Sequence, residues 1–600
     1  MPTPGSHRGL TPSSSFQTFV TAHSNDSFAT APGIDTPSIY SHDLPQPGDI
    51  DDVQVLDVDV KGLADVDESQ IDPRLELANS ARPTEEELDE SLVTTLSRTV
   101  SRLSSATTTN KSWGNGIGAG DAAEKQPGER TGGMEEEPLY IEFKPGDTRN
   151  PINYSRRKKW AITCIACSSS FLSSITVSSY NMGFSSMTRD LNATTFQATI
   201  GLSLFTLGFG VVPMITAAFS EEFGRRPLYI VSMVGFAVMY VMVAEANNIH
   251  TVQIARFLQG AFGSTGATMV GGTIADIWGP EERGLPMSLF TLVAVGANGF
   301  GPVFAGWIEL NQKLEWRWIQ WVQLMICGAV LVVIPFMGET RSSIILAKMA
   351  RMLRKKTGNK RYRARAEDER GSMRRLVWIS CTRPLYLLAT EPIVGSFSLW
   401  IGFAWGVLFV MVESIGSVFQ DLHGFNIGQV GTVFLTVVIG CFLGFFANLY
   451  QERLYRKHFP SRGIEARLYL ACAAGVLFPV GMMIYAWACF PHVHWMGLAV
   501  GITVFIWSTY VIYLSVFSYL ADCYGPFASS ALAGQSLARN LGGTIFPLFT
   551  HQMYAALSYK WANFLFACVA ILLMPIPYVL FFYGPKIRQR SKFSRKVTEG

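Results

Sequence analysis

Apolar residues fall in long blocks along most of the chain, and each block is nearly free of Lys, Arg, Asp and Glu. A helix of about 20 residues crosses the roughly 30 Å hydrocarbon core of a bilayer, so these blocks predict membrane-spanning helices. Six spans are predicted in the first half of the chain, at Trp160–Met182, Phe196–Phe219, Leu228–Glu245, Val252–Trp278, Met287–Ile308 and Trp318–Met337. Six more are predicted in the second half, at Glu391–Phe419, Gly428–Tyr450, Leu468–Phe490, Met496–Leu520, Ser530–Tyr554 and Trp561–Tyr583. The pattern therefore predicts an all-α membrane protein with twelve transmembrane helices in two six-helix bundles.

The composition favours spans over a water-soluble core. Of the 600 residues, 48% are hydrophobic and 16% are charged, whereas about a quarter of a soluble chain is charged. The net charge of +3 gives no reason to expect a nucleic-acid partner. Most of the nine cysteines lie inside apolar blocks, and they are interpreted as packing residues, not as disulfides or metal ligands. No metal site and no cofactor are expected.

The residues before the first span, 1–137, are rich in Ser, Thr, Pro, Gly and acidic residues and predict a disordered cytoplasmic tail. The predicted organisation continues with a first bundle at 138–338, a basic cytoplasmic central loop at 339–384, a second bundle at 385–583 and a basic cytoplasmic tail at 584–600. Two interpretations of the central loop stay open, a segment that lies along anionic lipid and a solvated linker.

Lys and Arg are concentrated in the loops on one side of the predicted spans. They precede the first span and follow the second, fourth, eighth and twelfth, whereas the alternate loops contain few. Short basic loops stay in the cytoplasm, so both termini are predicted to be cytoplasmic. One alternate loop holds the acceptor sequence Asn192-Ala193-Thr194, which predicts glycosylation of Asn192 on the outer side. The plasma membrane is the expected location, in preference to the vacuolar membrane.

Enzyme motifs are absent from the sequence. It contains no G-x-x-x-x-G-K-[ST], no H-E-x-x-H and no G-x-S-x-G. Neither an enzyme nor an ATP-driven pump is expected.

The turn between the second and third spans reads AAFSEEFGRR, at residues 217–226. It resembles the G-x-L-x-D-R-x-G-R-R loop of the major facilitator superfamily, with Ala217 in place of Gly, Glu221 in place of Asp and Glu222 in place of the first basic residue. The Glu-Glu variant is similar to the fungal drug:proton antiporters with twelve spans. The resemblance implies gating of the cytoplasmic side by this turn and by the end of the fourth span. The implied gating residues are Glu221, Gly224, Arg225, Arg226, Asp276 and Arg283.

Charge and position suggest how the turn would act. Glu221 and Arg225 are an acid and a guanidinium beside a tight turn between two helices, which predicts that they latch the two bundles on this side. The alternative is an inside-positive turn that only fixes the topology.

Arg256 lies inside the fourth span, where a charge is costly unless it faces a cavity or a partner. Residues 256–260 match the R-x-x-Q-G motif of the family, and the resemblance implies a role in proton coupling. The acidic partner stays open among Glu391, Glu413 and Asp276, and Glu391 is also assigned to proton coupling. The alternative is an arginine that extends to the nearer membrane interface.

The fifth span contains ANGFGPVFAG, at residues 297–306. Small residues let helices approach closely, and Pro removes a backbone hydrogen bond. The segment is similar to the antiporter motif G-x-x-x-G-P-x-x-G-G, with Ala at two of the Gly positions. The resemblance implies export instead of uptake, carried by Gly301, Pro302 and Gly306. Simple helix packing is the alternative.

The resemblance covers about Pro138 to Lys592 and implies a proton-coupled secondary transporter. It would export drugs, toxins or secondary metabolites by alternating access between two bundles. The expected substrate cavity is aromatic with few charges, which suits amphipathic molecules. Its predicted lining is Phe205, Asn298, Phe300, Trp400, Phe403, Trp405, Glu413, Trp507, Tyr510 and Tyr513. The expected partners are a small-molecule substrate, protons and the lipid bilayer, and the oligomeric state stays open.

Two other functions stay open. Glu391 and Glu413 could pair with ammonium groups, which predicts an exporter of polyamines or other organic cations. The bundle could instead bind a ligand and signal through the long tail, as a non-transporting sensor.

Overall fold

The computed structural model describes residues 138–279, 282–368, 372–591 and 593–594. Most of these residues are helical. This follows from the apolar blocks, because a backbone in hydrocarbon must satisfy its own hydrogen bonds and a helix does so within one segment. The predicted tail at residues 1–137 lies outside the described residues.

In the first half, a 3₁₀ turn at Pro151–Asn153 leads into long apolar helices. These are α1 (Arg156–Ser179), which continues through a 3₁₀ turn at Tyr180–Gly183 into α2 (Phe184–Asp190), then α3 (Thr195–Phe223), α4 (Arg225–Ala244), α5 (Ile249–Ile277), α6 (Gly284–Leu310) and α7 (Glu315–Val333). A 3₁₀ turn at Ile334–Phe336 follows α7.

Between the halves lies a small folded segment that includes part of the predicted central loop. Strand β1 (Leu139–Tyr140) pairs in parallel with β2 (Tyr362–Arg363). Helix α8 (Ser342–Thr357) buries Ala350 and Leu353 in a separate apolar cluster that also contains residues of both strand regions. Two further helices, α9 (Arg365–Asp368) and α10 (Met373–Thr390), lead to the second half.

A partly buried ion pair supports this segment. Arg354 donates to the two carboxylate oxygens of Glu367 at 2.8 and 3.0 Å. These hydrogen bonds lower the pKa of Glu367. The resulting stability is present at neutral pH and is lost as the pH falls through the lowered pKa.

The second half again consists of long helices. They are α11 (Pro392–His423), the pair α12 (Ile427–Val433) and α13 (Leu435–Arg462), α14 (Tyr469–Ala488), α15 (Met496–Tyr524), α16 (Ala528–Leu573) and α17 (Pro575–Arg590). 3₁₀ turns at Gly463–Leu468 and Gly525–Phe527 precede α14 and α16.

Nine segments of the described chain are long and apolar enough to cross a membrane. Two of them, Ile427–Ala488 and Ala528–Arg590, have 62 and 63 residues and hold two crossings each. The first contains α13 and α14, and the second is interrupted at Ser558, where φ is 61° and ψ is 161°. Helix α5 is not among the nine, because Arg256 and its many Gly and Thr residues lower its hydropathy, but its 29 residues run beside α3 and α4. The predicted fold, with twelve spans in two bundles, is confirmed.

The two halves repeat the same local signals. Helix α3 begins with a capping box, in which Thr194 accepts from the backbone N–H of Gln197 and Gln197 bonds back to Thr194. Helix α12 begins in the same way with Asn426 and Gln429. Each box satisfies two backbone donors that would otherwise have no partner at the helix start.

Because successive crossings alternate in direction, the start of α1 and the ends of α3 and α13 lie on the same face of the molecule. We call this face, which carries Arg156, Arg225, Arg226 and Lys457, the basic face. Asn192, between α2 and α3, is exposed on the opposite face, which we call the outer face.

The basic face is expected to be cytoplasmic, since it carries the short loops rich in Lys and Arg. A membrane-impermeant maleimide added to intact cells should therefore label Asn192→Cys and leave Lys457→Cys unlabelled until the membrane is opened. Both positions are exposed, and the unchanged chain, whose nine cysteines are free, gives the background. Labelling of both variants from outside would contradict this topology.

Candidate functional site

A cavity of about 1720 Å³ lies between the two halves and is the candidate site. It reaches the basic face, where charged side chains surround its mouth. They are Arg156, Glu221, Arg225, Glu282, Arg283, Glu452, Arg453, Arg456, Arg467 and Asp522. Its deeper wall combines aromatic rings with hydroxyls and amides, contributed by Ser173, Ser174, Phe205, Phe209, Asn298, Trp405, Phe409, Tyr513, Phe517, Gln535, Ser536, Arg539 and Asn540.

Direct contacts between the halves close the cavity toward the outer face. Asn181 donates to the carbonyl oxygen of Val412 at 2.5 Å, and Thr199 donates to Glu413 at 3.1 Å. Trp307 donates to Thr432 at 3.3 Å. The structure is therefore open to one face and closed to the other.

Helix α6, with the predicted antiporter motif, packs between the halves on the closed side. A Cβ at Gly301 would lie 2.7 Å from the carbonyl oxygen of Ile175 in α1, and one at Gly306 would lie 2.6 Å from that of Ile427 in α12. A Cβ at Gly431 would come within 2.4 Å of the carbonyl oxygen of Pro302. Side chains are too large for these positions. Gly301 therefore packs α6 against α1 within the first half, whereas Pro302 and Gly306 form a backbone-to-backbone contact with α12 of the second half.

An ion pair lies at the mouth, in the first half. Arg225 Nε is 2.5 Å from Asp276 Oδ2, and both side chains are largely buried. Gly272 provides the space, since a Cβ there would lie 2.5 Å from the guanidinium. Glu339 accepts the backbone N–H groups of Arg225 and Arg226 at 3.0 and 3.2 Å, which places a carboxylate at the positive end of α4.

The predicted pairing of Glu221 with Arg225 is not formed. Glu221 is more than half exposed and lies 4.0 Å from Arg341. The reason is the conformation of the turn, because Gly224 has a φ of 90° and directs Arg225 toward α5. The sequence analysis missed Glu339 and Arg341, which lie beyond the last span of the first half.

The remaining predicted gating residues bind backbone oxygens at the same face. Arg226 donates to the carbonyl oxygen of Pro335 at 2.9 Å. Arg283 donates to those of Ala275 and Trp278 at 3.1 and 3.3 Å, and burial lowers its pKa.

The second half repeats this arrangement with residues that the sequence analysis did not select. Arg467 pairs with Asp522, and Glu465 accepts two hydrogen bonds from Arg588 at 2.9 Å each. A repeat in the sequence could have located the first pair. Residues 275–280 read ADIWGP and residues 521–526 read ADCYGP, so Asp522 occupies the position of Asp276. Parallel repeats of this kind are typical of transporters built from two related halves.

Arg256 does not line the cavity. It is fully buried, 3.9 Å from the ring centre of Tyr180 and 4.6 Å from that of Phe205. Its Nη1 donates to Gln259 at 2.8 Å and to the carbonyl oxygen of Thr176 at 3.4 Å. No acid contacts it among the described residues, and its Nε and Nη2 have no hydrogen-bond partner there.

The three acids proposed as its partners lie elsewhere. Asp276 pairs with Arg225, Glu391 accepts from Tyr524 at 3.1 Å, and Glu413 accepts from Thr199. Arg256 begins the outer part of α5, and a separation of 20 residues puts Asp276 about 30 Å away along that helix.

The predicted cavity lining is only partly correct. Of the residues assigned to the substrate site, Asn298 and Trp405 line the cavity, and Phe205 and Tyr513 line it as well. Trp400 is buried beside Phe397 of the same helix, and Tyr510 donates to the carbonyl oxygen of Ser288 in α6, and neither lines the cavity. Phe300, Phe403 and Trp507 are also outside the lining.

Glu413 borders a second pocket, of about 230 Å³, on the closed side. The pocket lies between α3, α11 and α16 and also contains Thr194 and His551. One carboxylate oxygen of Glu413 accepts from Thr199, and the other has no partner among the described residues.

Comparisons with known proteins place the chain among transporters. A family model described as Major Facilitator Superfamily matches residues 166–522. The chain is 33% identical over 469 residues to the MFS-type efflux pump MFS2 of Trichophyton rubrum, which covers 77% of this chain and 78% of that protein. It is 31% identical over 473 residues to the major facilitator superfamily multidrug transporter mdrA of Aspergillus fumigatus, 77% of each chain. It is 36% identical over 399 residues to the efflux pump atB of Aspergillus terreus, 64% of this chain and 83% of that protein.

Asp276→Asn should destabilise the protein, because it leaves the guanidinium of Arg225 buried without a counter-charge. Breaking a buried pair in this way costs about 3 kcal/mol or more, and we expect a lower Tm of the purified protein in detergent. Replacing both partners, with Arg225→Met and Asp276→Leu, should restore most of the loss, while the exposed Lys457→Gln should have the Tm of the unchanged chain. A Tm of Asp276→Asn equal to that of the unchanged chain would contradict the pair.

Proposed function

The chain belongs to the major facilitator superfamily, and on this premise we propose that it is a proton-coupled secondary transporter that exports small organic molecules by alternating access. The family indicated by the turn at residues 217–226 is thus confirmed, and membership makes the chain a multi-pass membrane transporter and not an enzyme. The direction of transport, its coupling to protons and the alternating-access mechanism are proposals.

The observation that carries the proposal is a cavity open to one face and closed to the other by contacts between the halves. Rocking the halves against each other would break these contacts, open the outer face and close the basic face, which is the motion that alternating access requires. If the basic face is cytoplasmic, the open cavity receives its substrate from the cytoplasm. The names of the relatives, efflux pumps and a multidrug transporter, support the same direction. We propose the plasma membrane as the location.

The ion pairs at the mouth are the proposed gating elements. Arg225 with Asp276 and Arg467 with Asp522 hold equivalent helix ends in the two halves. Closing the basic face would bring these charged ends together, so changes in pairing would accompany each transport step. Glu221, Gly224, Arg226 and Arg283 shape the same surface.

Glu413 is the proposed proton carrier. Its carboxyl group lies between the halves on the closed side, and no cationic side chain contacts it among the described residues. Opening of the outer face would separate α3 from α11 and expose the carboxyl group to the outer medium. A carboxyl that exchanges between two such environments can take up a proton on one side and release it on the other.

Arg256 and Glu391 remain proposals for proton coupling, with indirect roles. Arg256 packs against Tyr180, and the next residue, Asn181, donates to the backbone oxygen of Val412, beside Glu413. Arg256 would therefore act through the contact that holds the closed side together. Glu391 lies at the start of α11, on the basic face, where release of a proton would occur.

The organic-cation alternative loses its support, because neither Glu391 nor Glu413 lines the central cavity. No described residue favours the sensor, since the tail on which it depends lies outside the described residues.

Inside-out plasma-membrane vesicles with an acidic lumen test the proposal directly. Vesicles that contain the protein should accumulate at least one compound from a panel of neutral, anionic and cationic aromatic molecules, and dissipating the pH gradient should abolish the accumulation. Glu413→Gln should lower gradient-driven accumulation about tenfold or more, because the amide side chain cannot carry a proton. The variant should retain counterflow, because it still binds substrate.

The matched control is Glu245→Gln, an acid exposed at the outer face, which should accumulate substrate at the normal rate. Normal gradient-driven accumulation in Glu413→Gln would refute its role as the proton carrier. An absence of accumulation across the whole panel would refute the export function.

Arg256→Ala should also lose gradient-driven efflux while retaining much of its counterflow. Arg256→Lys should lose less, because it keeps the charge although it lacks the planar group that packs on Tyr180 and Phe205. The two assays, run on variants of equal abundance, separate coupling from folding. Equal loss of both activities would make Arg256 a folding or binding residue.

A further inference from the structure

We propose that Arg539 binds the substrate in the central cavity and that the substrates are organic anions, with an acidic group joined to an aromatic body. The proposal rests on the export function and specifies the class of molecule that the cavity accepts. It is carried by the hydrogen-bonding and charge pattern of the cavity wall.

Arg539 lies deep in the cavity wall and is 7% exposed. Helix α16 begins at Ala528, so Arg539 lies about 16 Å along the helix from the basic face. A guanidinium at this depth is costly and indicates a functional role when it faces a cavity. Its one hydrogen bond is a long one, from Nη2 to Ser536 Oγ at 3.4 Å, and its Nε has no partner.

The other buried arginines differ from Arg539 in their surroundings. Arg225 and Arg467 each pair with an aspartate, and Arg588 pairs with Glu465. Arg256 has no acid beside it, but it is sealed between helices. Arg283 also lines the cavity without a contacting carboxylate, but it lies at the mouth, is only partly buried and donates to two backbone oxygens. Among the described residues, Arg539 is the arginine buried deep in the cavity wall with no contacting carboxylate.

The acids that line the cavity are too far away to neutralise it. Glu221, Glu282, Glu452 and Asp522 all lie at the mouth, on the basic face. Asp522 and Glu452 are already engaged by Arg467. The deeper part of the cavity therefore carries a net positive charge, which attracts anions and repels cations.

The unpartnered polar atoms of the wall point to the same class of ligand. Among the described residues, three that line the cavity have a buried side-chain atom without a hydrogen-bond partner, and these atoms are Arg283 Nε, Gln535 Nε2 and Arg539 Nε. All three are N–H donors. Gln535 and Arg539 are four positions apart on α16 and therefore on one face of the helix. An acceptor-only group such as a carboxylate or sulfonate satisfies both donors, whereas an ammonium group satisfies neither.

Aromatic rings surround the same guanidinium. Its carbon atom is 4.6 Å from the ring centre of Trp405 and 5.1 Å from that of Tyr513. These two rings stack on each other with centres 5.5 Å apart, and Phe409 and Phe517 continue the aromatic wall. The rings orient the planar guanidinium and provide a surface for the aromatic body of the substrate.

Binding to the purified protein tests the proposal independently of transport. The probes are 2-naphthoate, 2-naphthamide and 2-naphthylmethylammonium, which share one ring system and carry a negative, zero and positive charge. The unchanged protein should bind 2-naphthoate at least about tenfold more tightly than either of the others, since a charge-assisted bidentate pair is roughly twice as strong as a neutral hydrogen bond.

Two substitutions separate charge from packing. Arg539→Gln should bind the acid and the amide with similar affinity, whereas Arg539→Lys should keep a reduced preference for the acid. The control is Lys457→Gln, an exposed basic residue outside the cavity lining, which should keep the full preference. If Arg539→Gln does not fold, stabilisation of the unchanged protein by 2-naphthoate and not by the other two probes still distinguishes the outcomes.

The proposal is overturned if the unchanged protein binds the amide or the ammonium compound as tightly as 2-naphthoate, if it binds none of the three, or if Arg539→Gln retains the preference. A preference for the anion without transport of any compound in vesicles would instead refute the export function and leave the anion site supported.

Discussion

The close approach of helix backbones on the outer side determines how the two helical halves meet. Pro302 and Gly306 of α6 meet Ile427 and Gly431 of α12 with no side chain between them. Lipid tails are as apolar as leucine side chains, so close packing of small residues, not the hydrophobic effect, holds helices together in a membrane. Because the halves touch here and separate toward the basic face, a cavity forms between them. The predicted antiporter motif thus contributes a contact between the two halves.

A buried charge in a membrane protein needs stabilising contacts, and the described arginines obtain them in three ways. Arg225, Arg467 and Arg588 each have a carboxylate at the basic face. Arg256 is enclosed by aromatic rings and an amide, without an acid. Arg539 has aromatic neighbours and an open side toward the cavity. Pairing with a carboxylate suits surfaces that join and separate, and enclosure by aromatic rings suits a fixed packing contact. The arrangement at Arg539 leaves part of the guanidinium's interactions to be made by a ligand.

Much of the fold follows from the sequence, whereas much of the site does not. Length and hydropathy suffice to predict spans, because a helix in hydrocarbon satisfies its own backbone. A helix that is apolar all round does not show which side faces a cavity. Trp400 and Trp405 both lie in α11 and are equally aromatic, yet only Trp405 lines the cavity. Ion pairing depends on the turn at Gly224, so Glu221, although close to Arg225 in the chain, is not its partner, and Asp276 is.

Strands β1 and β2 join the start of the first half to the folded segment between the halves. Leu139 donates to the carbonyl oxygen of Arg361, and Ile141 donates to that of Arg363. The chain therefore enters and leaves the first bundle at one clasp, and the bundle between them is a closed loop. The clasp is a second link, besides the covalent chain, between the start of the first bundle and the linker that leads to the second half. Movement of either one at the basic face is therefore transmitted to the other.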